Sequence, residues 1–290
     1  MGETRSVLIT GASRGLGLAS AAHLYRKGWH VLAAMRSPES ASGALYDATG
    51  AQPGDARITP VTLDLEDEQS IGAAVKVVID TVGAPDAIVH NAAFIAVGVV
   101  EELPSDVLEK VITTNVLGPM RLTAALLPAM RAAGRGRIVV LCSQGGVRGM
   151  PSISAYSASK GALERWAESL AHEVAPFGLG VTVLVLGMFK TDVLTITDRY
   201  TEPDGPYAAL HAALDKQSDK VLDLARPPTV FAERLAKILD DDTKPLCRHA
   251  IGLDALGVLL GARLLPGPLF QSIVRLATRI PRPNAFRAQR

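Results

Sequence analysis

The sequence predicts an α/β protein: one doubly wound parallel sheet of about seven strands with helices on both faces. Three observations carry this. A short apolar run at 7–10 ends in a glycine loop that opens a helix. Downstream, apolar runs alternate with longer segments of helical period, which means right-handed crossovers between parallel strands. The runs are almost continuously apolar, as expected of strands covered on both faces.

The elements follow in order. Residues 7–10 form the first strand. Residues 15–27 form a helix, with Leu16, Ala19, Ala22, His23 and Arg26 spaced by three and four, ended at Gly28. Strands follow at 30–35 and 58–63, then a helix at 66–81 and a fourth strand at 87–90. A long helix spans 105–133, broken only late by Pro128. Residues 137–142 are a strand, 154–175 a helix and 181–186 a strand. Between 190 and 228 the pattern loosens around Pro203, Gly205, Pro206, Pro227 and Pro228, and helical pieces with a mobile connection are expected. A helix spans 229–239, with Thr229 as N-cap, and a last strand spans 246–251. An apolar extension, 254–280, is split into two short helices at Pro266-Gly-Pro268. The basic end, 281–290, is expected to fray. The reading is a catalytic domain over 1–252 and a helical extension over 253–290, packed on the same domain.

The 290 residues suit one large α/β domain, and 48% hydrophobic content supports a sizeable core. A net charge of +1 leaves no nucleic-acid footprint. The two cysteines, Cys142 and Cys247, form no disulfide framework, and the six histidines form no cluster with metal-ligand spacing. The start has no room for a signal peptide before the first strand. The apolar stretch 251–265 holds Asp254 and Arg263 and is shorter than the ~20 residues of a membrane span. A soluble cytoplasmic protein without a transmembrane segment is expected.

Two motifs carry chemistry. Gly11, Gly15 and Gly17 stand in G-x-x-x-G-x-G spacing between a strand and a helix. That context suits a dinucleotide pyrophosphate: the glycines let backbone approach closely, and the helix N-terminus offers N–H groups and positive dipole. An acid at the end of the second strand would hold the ribose hydroxyls of NAD. Here Met35 is followed by Arg36, and Arg14 sits in the glycine loop. Two guanidinium groups suit a 2′-phosphate, so NADP(H) is the expected cofactor. The alternative is that both arginines are merely solvated. Asp64, before Leu65, can meet the adenine amino group or cap the next helix. Asn91-Ala92-Ala93 offers small residues beside a ribose.

The second motif is Tyr156-x-x-x-Lys160, with Ser143 thirteen residues earlier. A phenol of ordinary pKa ~10 is a poor acid–base group at neutral pH. A lysine one helical turn on faces the same side and can lower that value, and it can also hold a ribose. Ser143 can hydrogen-bond a substrate oxygen. Hydride chemistry on a carbonyl or alcohol follows.

On these residues, with Asn115 in Asn-Val-x-Gly and Thr191, the chain resembles the short-chain dehydrogenase/reductase family over about residues 6–252. The Arg36 position and the extension resemble its 17β-hydroxysteroid and retinol dehydrogenase branch. The resemblance implies a Rossmann-type sheet in order 3-2-1-4-5-6-7, and a tetrad of Asn115, Ser143, Tyr156 and Lys160 in which Asn115 completes a proton relay. It implies that Thr191 contacts the nicotinamide carboxamide, and that homodimers or homotetramers form on the helices of 105–133 and 154–175. The expected cofactor set is Thr10, Gly11, Ser13, Arg14, Gly15, Leu16, Gly17, Arg36, Asp64, Leu65, Asn91, Ala92, Ala93, Tyr156, Lys160, Gly187, Phe189 and Thr191, with no metal. His90-Asn91-Ala92-Ala93 departs from the family's Asn-Asn-Ala-Gly. Leu186-Gly187 stands where the family has Pro-Gly.

The expected function is NADP(H)-dependent interconversion of a hydrophobic alcohol and its ketone or aldehyde. A non-catalytic NADP-binding regulatory or scaffold protein is the rival. A sugar-nucleotide epimerase is disfavoured by the glycine spacing. Residues 188–228 and 253–280 could cover a bulky substrate such as a steroid, retinoid or long acyl chain. Met188, Phe189, Val193, Leu194, Ile196 and Tyr207 would contribute from the loop, and Leu256, Val258, Leu259, Leu264, Leu265, Leu269 and Phe270 from the tail. Equally, the tail could simply pack on the core or on a partner subunit.

Overall fold

Apolar strands joined by crossovers too long for hairpins can only lie parallel, and the computed structural model shows seven such strands in one sheet. It describes residues 4–191, 197–223, 225–241 and 245–277. The elements run β1 (Ser6–Thr10), α1 (Gly15–Arg26), β2 (His30–Met35), α2 (Pro38–Thr49), β3 (Ile58–Thr62), α3 (Glu68–Val82), β4 (Ala87–His90) and β5 (Ala96–Val97). Then come α4 (Ser105–Ile112), a π-turn (Thr113–Leu117), α5 (Gly118–Ala133), β6 (Gly136–Ser143), α6 (Gln144–Val147), α7 (Ser154–Val174) and β7 (Leu179–Leu186). The remainder is β8 (Asp198–Arg199), α8 (Ala208–Asp223), α9 (Pro228–Asp240), β9 (Leu246–Ile251), α10 (Leu253–Leu264) and α11 (Gly267–Ala277).

The sheet order is β3-β2-β1-β4-β6-β7-β9, all parallel. Counting only these long strands, it is the expected 3-2-1-4-5-6-7. Two apolar layers cover it. Ile88, Leu122, Ile138, Leu163 and Val183 lie in one, and Val7, Ile9, Leu24, Val139 and Phe231 in the other, all essentially closed to solvent. Each fully buried aliphatic or aromatic side chain contributes roughly 1.5–3 kcal/mol. Register sets the functional edge. Ser143 pairs with Leu186 at the carboxyl ends of β6 and β7, and β1 lies between β2 and β4 with Ile9 opposite Val89.

Three local expectations need correction. The long helix is not broken at Pro128, which lies inside α5. It is interrupted by the π-turn around Asn115. Helix α2 had not been expected; Pro38 begins it and left-handed Gly50 ends it. Thr229 is not a cap: α9 starts at Pro228 after Pro227, without a side-chain cap bond. No helix among the described residues is long and apolar enough to cross a membrane.

The tail runs over two helices, as expected. Ala255 is fully buried in the core and Leu259 packs against it, whereas Leu264 is 71% exposed. No described side chain of the tail lines the cavity described below. Val193, Leu194, Ile196 and the basic end 281–290 lie outside the described residues.

Candidate active site

A cavity of about 300 Å³ opens at the carboxyl edge of the sheet, where ligands of open α/β sheets bind. Thr10, Gly11, Ser13, Arg14, Gly15 and Leu16 line it from the glycine loop. Arg36 follows β2, Asp64 and Leu65 follow β3, and Asn91, Ala92 and Ala93 follow β4. Tyr156 and Lys160 reach it from α7, and Thr191 from the loop after β7. Gly17, Asn115, Ser143, Gly187 and Phe189 are not among its lining residues.

The glycine loop is tied to β4. Asn91 Nδ2 donates to the carbonyls of Thr10 (2.8 Å) and Gly11 (3.1 Å). The Thr10 hydroxyl accepts the Asn91 and Ala92 N–H groups at 3.1 and 3.0 Å. Thr10 and Asn91 thus spend their side chains on the loop itself. Gly17 acts from behind: a Cβ there would lie 2.2 Å from the Gly11 oxygen and 2.6 Å from Asn91 Nδ2. The helix it opens has no side-chain cap bond and no acid in its first turn. An uncapped N-terminus facing a cavity, flanked by Arg14 and Arg36, fits a dinucleotide diphosphate. Asp64 accepts the Glu66 N–H at 2.9 Å, but the cap of α3 is Asp67.

Ser143 ends β6, caps the short α6 by accepting the Gly145 N–H at 3.1 Å, and stands beside the Tyr156 phenol. Burial pushes that phenol up to about 12, while the Ser143 hydroxyl pulls it down. Lys160 Nζ donates to the Leu141 carbonyl at 2.7 Å and stands 5.7 Å from the centre of the Tyr156 ring. Burial also lowers the Lys160 pKa. Both groups are therefore drawn toward their neutral forms. Cys142, beside Lys160, is a buried thiol raised to about 12, and hence inert.

The Asn115 side chain is committed within the fold. It is fully buried, and its Oδ1 accepts the Phe94 N–H at 2.7 Å. Its Nδ2 donates to the Phe94 carbonyl (2.8 Å) and to Ser159 Oγ (3.0 Å). Ser159 in turn donates to the Tyr156 carbonyl at 2.8 Å. The amide is consumed in fixing the turn that bears Tyr156. Phe189, 6% exposed, packs edge-on against Phe231 at 5.9 Å and faces the core. Thr191 lies 3.4 Å from where a Gly15 Cβ would be.

Sequence reasoning missed Phe94, Ile95, Lys110 and Thr114, which also line the cavity. The run Phe94-Ile95 directly follows the small-residue motif and could have been read as its continuation. Lys110 and Thr114 arrive from α4 and the π-turn, and no local pattern marks them. His90, in place of the family's asparagine, is buried. Its Nε2 bonds Thr123 Oγ1 at 2.7 Å, and burial drops it to about 3.

Comparison with known proteins agrees with this geometry. The short chain dehydrogenase family model matches residues 5–200. An oxidoreductase of Botryotinia fuckeliana, BOA17, is 32% identical over 260 residues, covering 87% of this chain and 90% of that one. Human 17-beta-hydroxysteroid dehydrogenase type 1 is 37% identical over 191 residues, covering 64% of this chain and 57% of that protein. A solved short-chain dehydrogenase from Streptomyces avermitilis superposes with a TM-score of 0.77 at 33% identity, covering 95% and 99% of the two chains.

Proposed function

We propose that this chain, which belongs to the short chain dehydrogenase family of oxidoreductases, interconverts a hydrophobic alcohol and its ketone or aldehyde with NADP(H). The observation that carries the reading is the Tyr156 phenol, beside Ser143, in one cavity with an uncapped helix N-terminus, Arg14 and Arg36. The backbone amides of the glycine loop would hold the diphosphate, and the two arginines the 2′-phosphate. Bound there, the nicotinamide would supply or accept the hydride. The residues of the chain handle the proton. In reduction, Tyr156 Oη gives its proton to the carbonyl oxygen, and Ser143 supports the resulting phenolate. In oxidation the phenolate takes the proton back. Phe94 and Ile95 favour an apolar substrate. The extension is read as part of the same catalytic unit, and the chain as a cytoplasmic homo-oligomer. Leu108 and Leu117, exposed along 105–117, favour an interface there.

Tyr156→Phe tests the reading. Turnover, followed by absorbance of the reduced cofactor, should fall ~100-fold or more, while cofactor affinity stays near wild type. A variant with near-normal kcat refutes the role of Tyr156. The pH dependence has a definite sign. A phenol raised to about 12 is protonated at neutral pH. Reduction, which needs the acid, should not lose rate through this group between pH 6 and roughly 9. Oxidation, which needs the base, should climb across the same range. A reductive rate that falls tenfold over that range assigns the proton to another group.

A further inference from the structure

Three segments converge on one carboxylate outside the cavity. Asp254, in the first turn of α10, accepts the Met188 N–H through Oδ2 at 2.8 Å. The same oxygen lies 3.5 Å from Gln144 Nε2, and Oδ1 lies 3.9 Å from Arg226 Nη1. Two glycines make room for it. A Cβ at Gly187 would lie 2.1 Å from Oδ1, and one at Gly252 would lie 2.4 Å from it. Asp254 does not cap its own helix: the N-cap of α10 is Gly252, with no side-chain cap bond.

Each segment leads to the site. Gln144 directly follows Ser143. Met188 lies three residues before Thr191, which packs on Gly15 and lines the cavity. Arg226 braces the same loop: Lys190 N–H donates to its carbonyl at 2.7 Å, and its own N–H donates to the Met188 carbonyl at 3.1 Å. Where a proline would stiffen the start of this loop, the chain has Leu186 and then Gly187. A charge-assisted bond, roughly twice as strong as a neutral one, stands in the place of that covalent restraint.

We propose that Asp254 is a positioning residue for the dinucleotide. It fixes the loop that carries Thr191 and the turn that follows Ser143, so the tail helix sets cofactor affinity from outside the cavity. This rests on the reading of the cavity as a dinucleotide site. The clamp acts on the Thr191 side, which both cofactors share, so NADPH and NADH should respond alike.

The test uses the full chain with Asp254→Ala and Asp254→Asn. Dissociation constants for NADPH and NADH come from fluorescence titration, the Tm is taken without ligand, and amide exchange is followed across 186–191. The alanine variant should bind both dinucleotides roughly tenfold more weakly, exchange the Met188 amide faster and keep its Tm within a few degrees. The asparagine variant, which retains a carbonyl acceptor, should stay within about threefold of wild type. Gly187→Ala, which pushes on the carboxylate, should weaken binding too, and less so when combined with Asp254→Ala. Wild-type affinity in Asp254→Ala overturns the inference alone. Equal losses of affinity and Tm in both Asp254 variants, or additive effects in the double variant, also overturn it. A wild-type chain that binds neither dinucleotide overturns the underlying reading and the inference with it.

Discussion

The loop between β1 and α1 and the loop after β7 border the same cavity but are held by different means. The first turns within a few residues: Gly11 and Gly15 take φ of +68° and +55°, and the neighbouring strand end, through Asn91 and Ala92, secures it. The second is secured by groups from three other segments. Gly187 N–H donates to the Ile251 carbonyl at 3.0 Å, Arg226 braces Met188 and Lys190, and Asp254 accepts from Met188. Beyond it, β8 pairs with β5, Tyr207 bonds Glu101 at 2.7 Å, and His211 bonds Glu102 at 2.6 Å. A site that offers backbone amides needs a backbone without freedom. A site that must admit a substrate can be closed by side chains, and side chains can be exchanged.

If that contrast is right, the largest loss of dinucleotide affinity comes from the smallest change in the glycine loop. Gly17→Ala sets a methyl 2.2 Å from a backbone oxygen that Asn91 already holds. Overpacking of this kind costs ~1–3 kcal/mol, a Tm fall of several degrees for a chain of this size. It should weaken dinucleotide binding by roughly tenfold or more, because the first turn of α1 cannot keep its place. Calorimetry and titration check both. An alanine variant that binds normally would mean that the loop yields as easily as the other region does.

Arg36→Ala comes next and separates charge from backbone. Losing one charge-assisted bond should weaken NADPH by roughly tenfold and leave NADH within about twofold. Equal affinities of the wild type for both cofactors would mean that Arg14 and Arg36 meet no 2′-phosphate.

The same contrast explains what was legible in the sequence. β2, β4 and β9 are where their apolar runs stand, and β1 begins one residue earlier than its run suggested. The glycine loop, Ser143, Tyr156 and Lys160 are read from local spacing because local geometry makes them work. α2 escaped notice because its Ser, Ala and Gly give little apolar contrast, although Pro38 and Gly50 mark its ends. The π-turn had no compositional signal, and Pro128 drew attention to the wrong place. β5 and β8 are two residues each and exist only through their pairing. The Tyr207–Glu101 and His211–Glu102 contacts join residues 106 and 109 positions apart, and no local pattern encodes such distances. The Phe189–Phe231 contact likewise joins two elements through the core, and no local spacing marks it.

The smallest expected effect on the dinucleotide is the sharpest test of the contrast. His211 and Glu102 have side chains only 9% and 6% exposed, and Glu102 Oε1 is buried without a partner. His211→Ala leaves that carboxyl group buried without its hydrogen-bond partner, a penalty of about 1–3 kcal/mol, which local opening of 197–223 would relieve. Limited proteolysis should then cut this segment faster, and KM for bulky substrates should rise severalfold. Dinucleotide affinity should stay within about twofold, since no described side chain of 197–216 lines the cavity. Glu102→Gln with His211 intact keeps a hydrogen-bonding group opposite the imidazole, so it should open the segment less. A His211→Ala variant that loses dinucleotide binding as Gly17→Ala does would show that the two regions fold and bind as one.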